Sequence, residues 1–270
     1  MQSLQLGPVR ITLLPDAWGH ISGDRVFHPA TRDEWSSGVE VDAEGDMLIR
    51  VTALLISVNG DHTLVDTGFG REERHNHQEG VLRSLAAVGV APEEIGRVIL
   101  THAHEDHCMG NTVRRGGVWH PVYPNAEYVV QDFEITSMRR ANDALWRTRF
   151  RPLVDPGRLR TVTDDVAMDE WITCRFTPGH TIGHQSVVIR AGGETVVYLG
   201  DLALMAGNLE HPEWGPNWAW SHEIDEASRR SMVEWAAEQR AILIVGHDPQ
   251  RAWVRMERMD EGYRAVTLDI

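Results

Sequence analysis

Lysine is missing from this sequence; all 26 basic residues among its 270 are arginines. With no side-chain primary amine, covalent catalysis through a lysine Schiff base is excluded. Cysteine is nearly as scarce. Cys108 and Cys174 are the two present, too few for a disulfide framework. No run of about 18 apolar residues occurs, so no membrane-spanning helix is expected. The opening MQSLQLGPVR has neither a basic start nor an apolar core of the kind a secretory leader needs, and a cytoplasmic location is expected. Positive charge is also in deficit: 26 basic against 40 acidic residues give a formal net charge of −14. Such a surface repels phosphate backbones and offers anionic lipid no basic patch, so neither nucleic acid nor membrane is an expected partner.

What the chain does have is an ordinary globular composition, 42% hydrophobic and 24% charged, in a length able to bury a large core. LLISVNGDHTLVDTG predicts a hairpin: a strand, an Asn59-Gly60 turn, and a second strand ending near Asp66. EGVLRSLAAVGV carries apolar residues at helical spacing, with Gly89 as its stop. RVILTHAH predicts a short buried strand. Next come a strand at Glu127–Val130 and a helix from about Asp132 to Arg149. Strands are expected at Trp171–Phe176, Ser186–Ile189 and Thr195–Leu199, then a helix capped by Asp225 and running to about Arg240, then a buried strand in AILIVGHD. No Pro- or Ser-rich linker divides the chain, which predicts one α/β domain over residues 1–270.

The segment 101-THAHEDHCMG-110 crowds His102, His104, Asp106 and His107 into six positions. Neutral imidazoles and a carboxylate are ligands for borderline ions such as zinc, and a divalent cation is what stabilises such a cluster. His102 and His104 alternate on an extended segment, so their rings share a side. Asp106 and His107 follow as the chain turns, and can address a second ion. Four further segments end an apolar strand in a ligand-type residue: 64-LVDTG-68, 176-FTPGH-180, 197-VYLGD-201 and 244-IVGHD-248. Ligand sites collect at strand ends in α/β folds. His75 and His77 read as a solvated loop, Cys108 as a small buried residue, and Glu105 as pointing away from the cluster.

These motifs, in this order from Asp66 to His247, resemble the metallo-β-lactamase superfamily. The resemblance implies a four-layer αβ/βα sandwich with two divalent metals, zinc favoured and manganese, iron or cobalt possible. It implies that His102, His104 and His180 hold the first metal, that Asp106, His107 and His247 hold the second, and that Asp201 bridges both. Asp66 resembles the family's outer carboxylate that orients ligands, and His184 is a candidate for a similar supporting place. Such a site implies hydrolysis, a metal-bridging hydroxide attacking the substrate while Asp106 carries a proton to the leaving group.

Departures narrow the choice among branches. Asp201 stands where the best-known zinc β-lactamases have cysteine, and the lysine or similar cation they use has no lysine counterpart here. Only 23 residues follow His247, so the helical domain of glyoxalase II-type thioesterases is not expected. The nearest resemblance is to single-domain lactonases, including those acting on N-acyl homoserine lactones, and to aryl-ester and organophosphate hydrolases. Leu204 replaces a tyrosine that several such lactonases place three residues after the bridging aspartate. The expected activity is therefore opening of a lactone or small carboxylic ester. Phosphotriesterase, phosphodiesterase or β-lactamase chemistry on the same site is the alternative, and a one-iron sulfur dioxygenase is a more distant one. The ten tryptophans suggest an apolar small-molecule pocket, with Trp218, Trp220, Phe69, Met109 and Leu204 as its candidate residues. Similar lactonases are commonly dimers, which implies a homodimer.

Overall fold

The computed structural model describes residues 1–37, 39–70 and 80–270. His75 and His77 lie outside the described residues. The chain forms two compact units, Met1–Ala17 with Val51–Val166, and Trp18–Arg50 with Ala167–Ile270. The chain passes from one unit to the other inside strands, not through linkers: within Val9–Ser22, within Asp46–Val58, and within Val166–Ala167.

The first unit is built on one sheet. Its strands are β1 (Ser3–Leu6), β2 (Val9–Ser22), β3 (Asp46–Val58), β4 (Asp61–Val65) and β5 (Ile95–Ile99), and, after the small β6–β7 hairpin (Thr112–Arg115 and Val118–Pro121), β8 (Glu127–Gln131) and β9 (Leu159–Val162). The order is β1-β2-β3-β4-β5-β8-β9. β3 and β4 form the expected hairpin, and Asn59 and Gly60 turn it with φ of 51° and 96°. This is the doubly left-handed turn that matches strand twist. β4, β5, β8 and β9 then run parallel, so the loops that leave β4 and β5 emerge at one edge of the sheet. Leu14, Leu55, Leu64, Val98 and Leu100 join Leu85 of the Val81–Ala87 helix and Ile135 and Met138 of the Asp132–Ala141 helix in one core.

The single helix expected from Asp132 to Arg149 is broken. Asn142 adopts φ −140° and ψ 74°, and its side chain accepts from Leu145 N–H, capping a new turn that continues through Trp146–Phe150. Asn competes with the helix for its own backbone donors, which the apolar pattern alone does not report.

The second unit's sheet comprises β10 (Val166–Ala167), β11 (Ile172–Phe176), β12 (Gln185–Ala191), β13 (Glu194–Tyr198), β14 (Ile242–Ile244), β15 (Trp253–Arg258) and β16 (Tyr263–Thr267), in sequential order. β11, β12 and β13 alternate direction, while β13 and β14 are parallel. The C-terminal ends of β11, β13 and β14 therefore point the same way. One face of this sheet packs on Met232, Val233 and Ala236 of the His222–Gln239 helix. Ser221, not Asp225, is that helix's N-cap, accepting from Ile224 N–H, and Asp225 lies inside the first turns, fully buried.

Glu210 ties this unit's C-terminal hairpin to the preceding loop. Its carboxylate accepts from Arg251 at 2.8 and 3.1 Å and from Ala265 N–H at 3.0 Å. Burial alone would raise its pKa, but these bonds outweigh burial and hold it below its ordinary value of 4.5. A carboxyl whose folded pKa is depressed contributes stability above its ordinary value and loses it as pH falls through the folded value. Thermal midpoints measured from pH 6 down to pH 3 should drop less steeply in Glu210→Gln than in the parent protein; equal slopes would rule out this contribution.

Candidate metal centre

Buried apolar strands carry each donor group to a strand end. In the first unit, Val98, Ile99 and Leu100 are fully buried and lead into Thr101–His104, where His104 is extended with φ −77° and ψ 158°. The chain then coils into the one-turn helix Glu105–Cys108, with His107 N–H bonding back to His104 O at 3.1 Å. His102 and His107 are buried, His104 and Asp106 are half-buried, and Glu105 is exposed as expected. His102 Nε2 lies 2.9 Å from His104 Nδ1. Two imidazole nitrogens that close need a proton or a cation between their lone pairs.

Asp66, at the end of β4, sits in the left-handed region with φ 61°, which Asp tolerates better than most residues. Its Oδ2 accepts from His107 Nδ1 at 2.8 Å, and its Oδ1 accepts from Thr101 N–H at 2.8 Å. The Thr101 hydroxyl donates to the same carboxylate, at 2.8 Å from Oδ2. With that proton committed, Thr101 Oγ1 accepts from His102 Nδ1 at 3.0 Å. Both rings are thereby set in the tautomer that leaves Nε2 with its lone pair, the state a metal ligand requires. Thr67 reinforces the arrangement: its N–H reaches His107 O at 2.8 Å, and its hydroxyl reaches Asn111 at 3.0 Å.

In the second unit, His180, Asp201 and His247 follow β11, β13 and β14, whose common polarity brings them to one edge. The two Asp201 oxygens face different rings. Oδ2 lies 3.1 Å from His180 Nε2, and Oδ1 lies 3.0 Å from His247 Nε2. All three residues are buried. A carboxylate presenting one oxygen to each of two imidazoles fits a group shared by two cations. His184 supports Asp201 directly: its Nδ1 donates to Thr177 O at 3.0 Å, and its Nε2 accepts from Asp201 N–H at 3.0 Å. Asp248 closes the loop after His247 by accepting from Ala206, Gln250 and Arg251 N–H groups at 2.7 to 3.0 Å.

Gly179 is required at its position. It has φ 134°, and a Cβ there would stand 2.2 Å from the Asp225 backbone. Gly179→Ala should therefore destabilise the apo protein by about 3 kcal/mol, combining backbone strain with a clash no rotamer relieves. Denaturant melts will show this as a lowered midpoint, and an unchanged midpoint would contradict the fit of this loop.

Thr101, Thr177, Thr67 and Asp248 were not singled out in the sequence. The available signal was position: Thr101 directly precedes the histidine motif, and Thr177 opens TPGH. Cys108 is fully buried within the first unit's apolar core, where burial pushes its thiol pKa up, and it belongs to neither group of clustered donors.

The pocket candidates differ in burial and surroundings. The Trp218 ring meets His180 edge-on at 6.4 Å and carries the Arg25 guanidinium 5.0 Å from its centroid. Trp220 is exposed and donates its backbone N–H to His180 O at 3.0 Å. Leu204 is buried among Val26, Phe27, Trp35 and Met47 in the second unit. Met109 is half-buried against the first unit's core and accepts from Arg149 Nε at 3.2 Å. Phe69 is half-buried, its backbone held by Asp16 at 2.8 Å.

Histidine–aspartate clusters at the strand ends of mixed α/β units are donor sets suited to a divalent metal ion. The model of the metallo-beta-lactamase superfamily matches residues 48–247, and the chain belongs to that superfamily. The N-acyl homoserine lactonase AttM of Rhizobium radiobacter is 27% identical over 245 residues, spanning 81% of this chain and 89% of AttM. A probable metal-dependent hydrolase from Staphylococcus aureus superposes with a TM-score of 0.85 at 19% identity, covering 99% of each chain. AidC, a dizinc quorum-quenching lactonase solved with a product, N-hexanoyl-L-homoserine, superposes with a TM-score of 0.81 at 21% identity, over 100% of this chain and 97% of AidC. The fold is thus the one the motifs implied, and the chain is an enzyme of the hydrolase class.

Proposed function

We propose that this chain is a lactonase that opens N-acyl homoserine lactones or closely related small esters with two divalent cations, zinc the favoured pair. The observation that carries the reading is the Asp201 carboxylate, with one oxygen toward His180 and the other toward His247. His102, His104 and His180 would hold one cation; Asp106, His107 and His247 would hold the other; Asp201 would be shared. The seven residues fall within the matched region 48–247, which supports treating residues 1–270 as one domain. The donor set of imidazoles and carboxylates, without thiolate, suits zinc and also admits manganese, iron or cobalt.

Two cations held there would supply Lewis acidity, making a coordinated water easier to deprotonate and an ester carbonyl more electrophilic. The protein's own groups do the remaining work. Asp66 and Thr101 engage the Nδ1 atoms of His107 and His102 and so orient the two rings, and His184 fixes the Asp201 backbone. Asp106, a quarter exposed and 3.5 Å from His107 Nε2, would take up the proton released by the attacking water and pass it to the leaving alkoxide. Trp218, beside His180, offers an apolar wall for an acyl chain.

The reading includes a small-molecule substrate, no nucleic-acid or membrane partner, a cytoplasmic location and a homodimer. No helix among the described residues is long and apolar enough to cross a membrane. The test is turnover by metal-loaded protein of N-acyl homoserine lactones, aryl esters and a phosphotriester. The lactones should give the highest kcat/KM. Turnover of the phosphotriester with none of any lactone would transfer the assignment to phosphoryl chemistry.

A further inference from the structure

Asp225 and Arg229 form an ion pair at 2.7 Å on the His222–Gln239 helix, and both side chains are about 1% exposed. Spacing of i and i+4 ordinarily makes a solvated surface pair. Here the pair is enclosed by loops, and one of those loops carries Asp201. Arg229 Nη1 donates to Leu202 O at 2.9 Å, one residue past Asp201. Arg229 Nε donates to Pro212 O at 2.9 Å, at the start of the tryptophan-rich loop. A Cβ at Gly215, within that loop, would lie 2.6 Å from Arg229 Nη2 and 2.9 Å from Asp225 Oδ2.

The His180 loop is seized by the same helix start. Ser228 Oγ donates to Pro178 O at 2.6 Å, Ser221 N–H to Gly179 O at 3.0 Å, and Trp220 N–H to His180 O at 3.0 Å. The Asp225 backbone fills the space that a side chain at residue 179 would occupy.

We propose that the Asp225–Arg229 pair is a positioning element that sets the spacing of His180 and Asp201 for a metal ion. The pair touches no donor atom. It acts through Leu202 and through the helix turn that grips residues 178–180. A guanidinium suits the task because its planar fork can reach two carbonyls and a carboxylate at once, which an ammonium point charge cannot. The proposal rests on the metal reading above, and its test keeps the two separable.

Arg229→Lys retains charge and volume but loses the fork; Asp225→Asn/Arg229→Gln removes both charges together. Val233→Ala, on the same helix but facing the apolar core, serves as the stability control. Cobalt(II) affinity by chelator competition, the cobalt d–d spectrum and the apo thermal midpoint are measured for each. Both pair variants should lose about tenfold or more in cobalt affinity, the usual consequence of losing support behind a ligand, with an altered d–d band. Val233→Ala should keep affinity and spectrum even at an equal drop in midpoint. If Arg229→Lys keeps the affinity and spectrum of Val233→Ala, the pair is merely structural and the proposal is overturned; this variant decides the matter should the double variant not fold. His180→Ala and Asp201→Asn are run alongside. If they also retain cobalt normally, the metal reading itself has failed; if they lose it while Arg229→Lys does not, only the positioning role has.

Discussion

Asp201→Asn is expected to cut kcat/KM by about a hundredfold or more, or ~3 kcal/mol of barrier. The reason is the division of labour between its two oxygens, 3.1 Å from His180 Nε2 and 3.0 Å from His247 Nε2. Asparagine keeps the shape but turns one of those oxygens into an NH2 group, which donates hydrogen bonds and offers a metal no lone pair. Whichever way the amide settles, one side of the site loses its anionic donor and both lose the charge. The substitution leaves the backbone bond from Asp201 to His184 untouched, so the apo fold should survive. Metal content and turnover should fall together. Unchanged turnover at unchanged metal content would show that Asp201 is not shared between cations.

Loss of Asp66 should have the next largest effect. Its buried carboxylate accepts from His107 Nδ1 and from both donors of Thr101. In Asp66→Asn the amide group faces at least one of these donors with a donor of its own, leaving it unsatisfied at about 1–3 kcal/mol. The tautomer of His107 is then no longer imposed, and metal affinity should decrease about 10- to 100-fold. Chelator competition reads the affinity, and an apo melt reads the stability cost separately. A variant that melted lower but bound metal normally would make Asp66 a packing residue, not an orienting one.

Much of this was legible in the sequence because the relevant signals are local. The Asn59-Gly60 turn, the strand ending at Asp66 and the buried strand before His102 each announce themselves through turn chemistry or apolar runs, and each is present. The donor residues were legible for the same reason, as short polar motifs at strand ends. What the sequence could not report depends on tertiary context. Asn142 breaks a helix whose apolar periodicity continues past it, because its side chain competes for backbone donors. Ser221 takes the cap expected of Asp225, since Asp225 is drawn into the buried pair with Arg229. Arginine and aspartate four apart look like surface chemistry in any sequence, and only the packing of three loops around them says otherwise. Leu204 and Trp218 are alike in apolar character and Trp218 packs on the cluster that encloses Leu204, yet the Trp218 ring also meets His180 while Leu204 is buried within the cluster. Hydrophobicity does not distinguish those two fates.

Whether seven residues from four segments of the chain hold two cations is addressed most directly by anomalous diffraction at the zinc edge from crystals of the metal-loaded protein. Two peaks are expected, one ligated by His102, His104 and His180, the other by Asp106, His107 and His247, with Asp201 bound to both. A single peak, or peaks to which Asp201 contributes no oxygen, would contradict it.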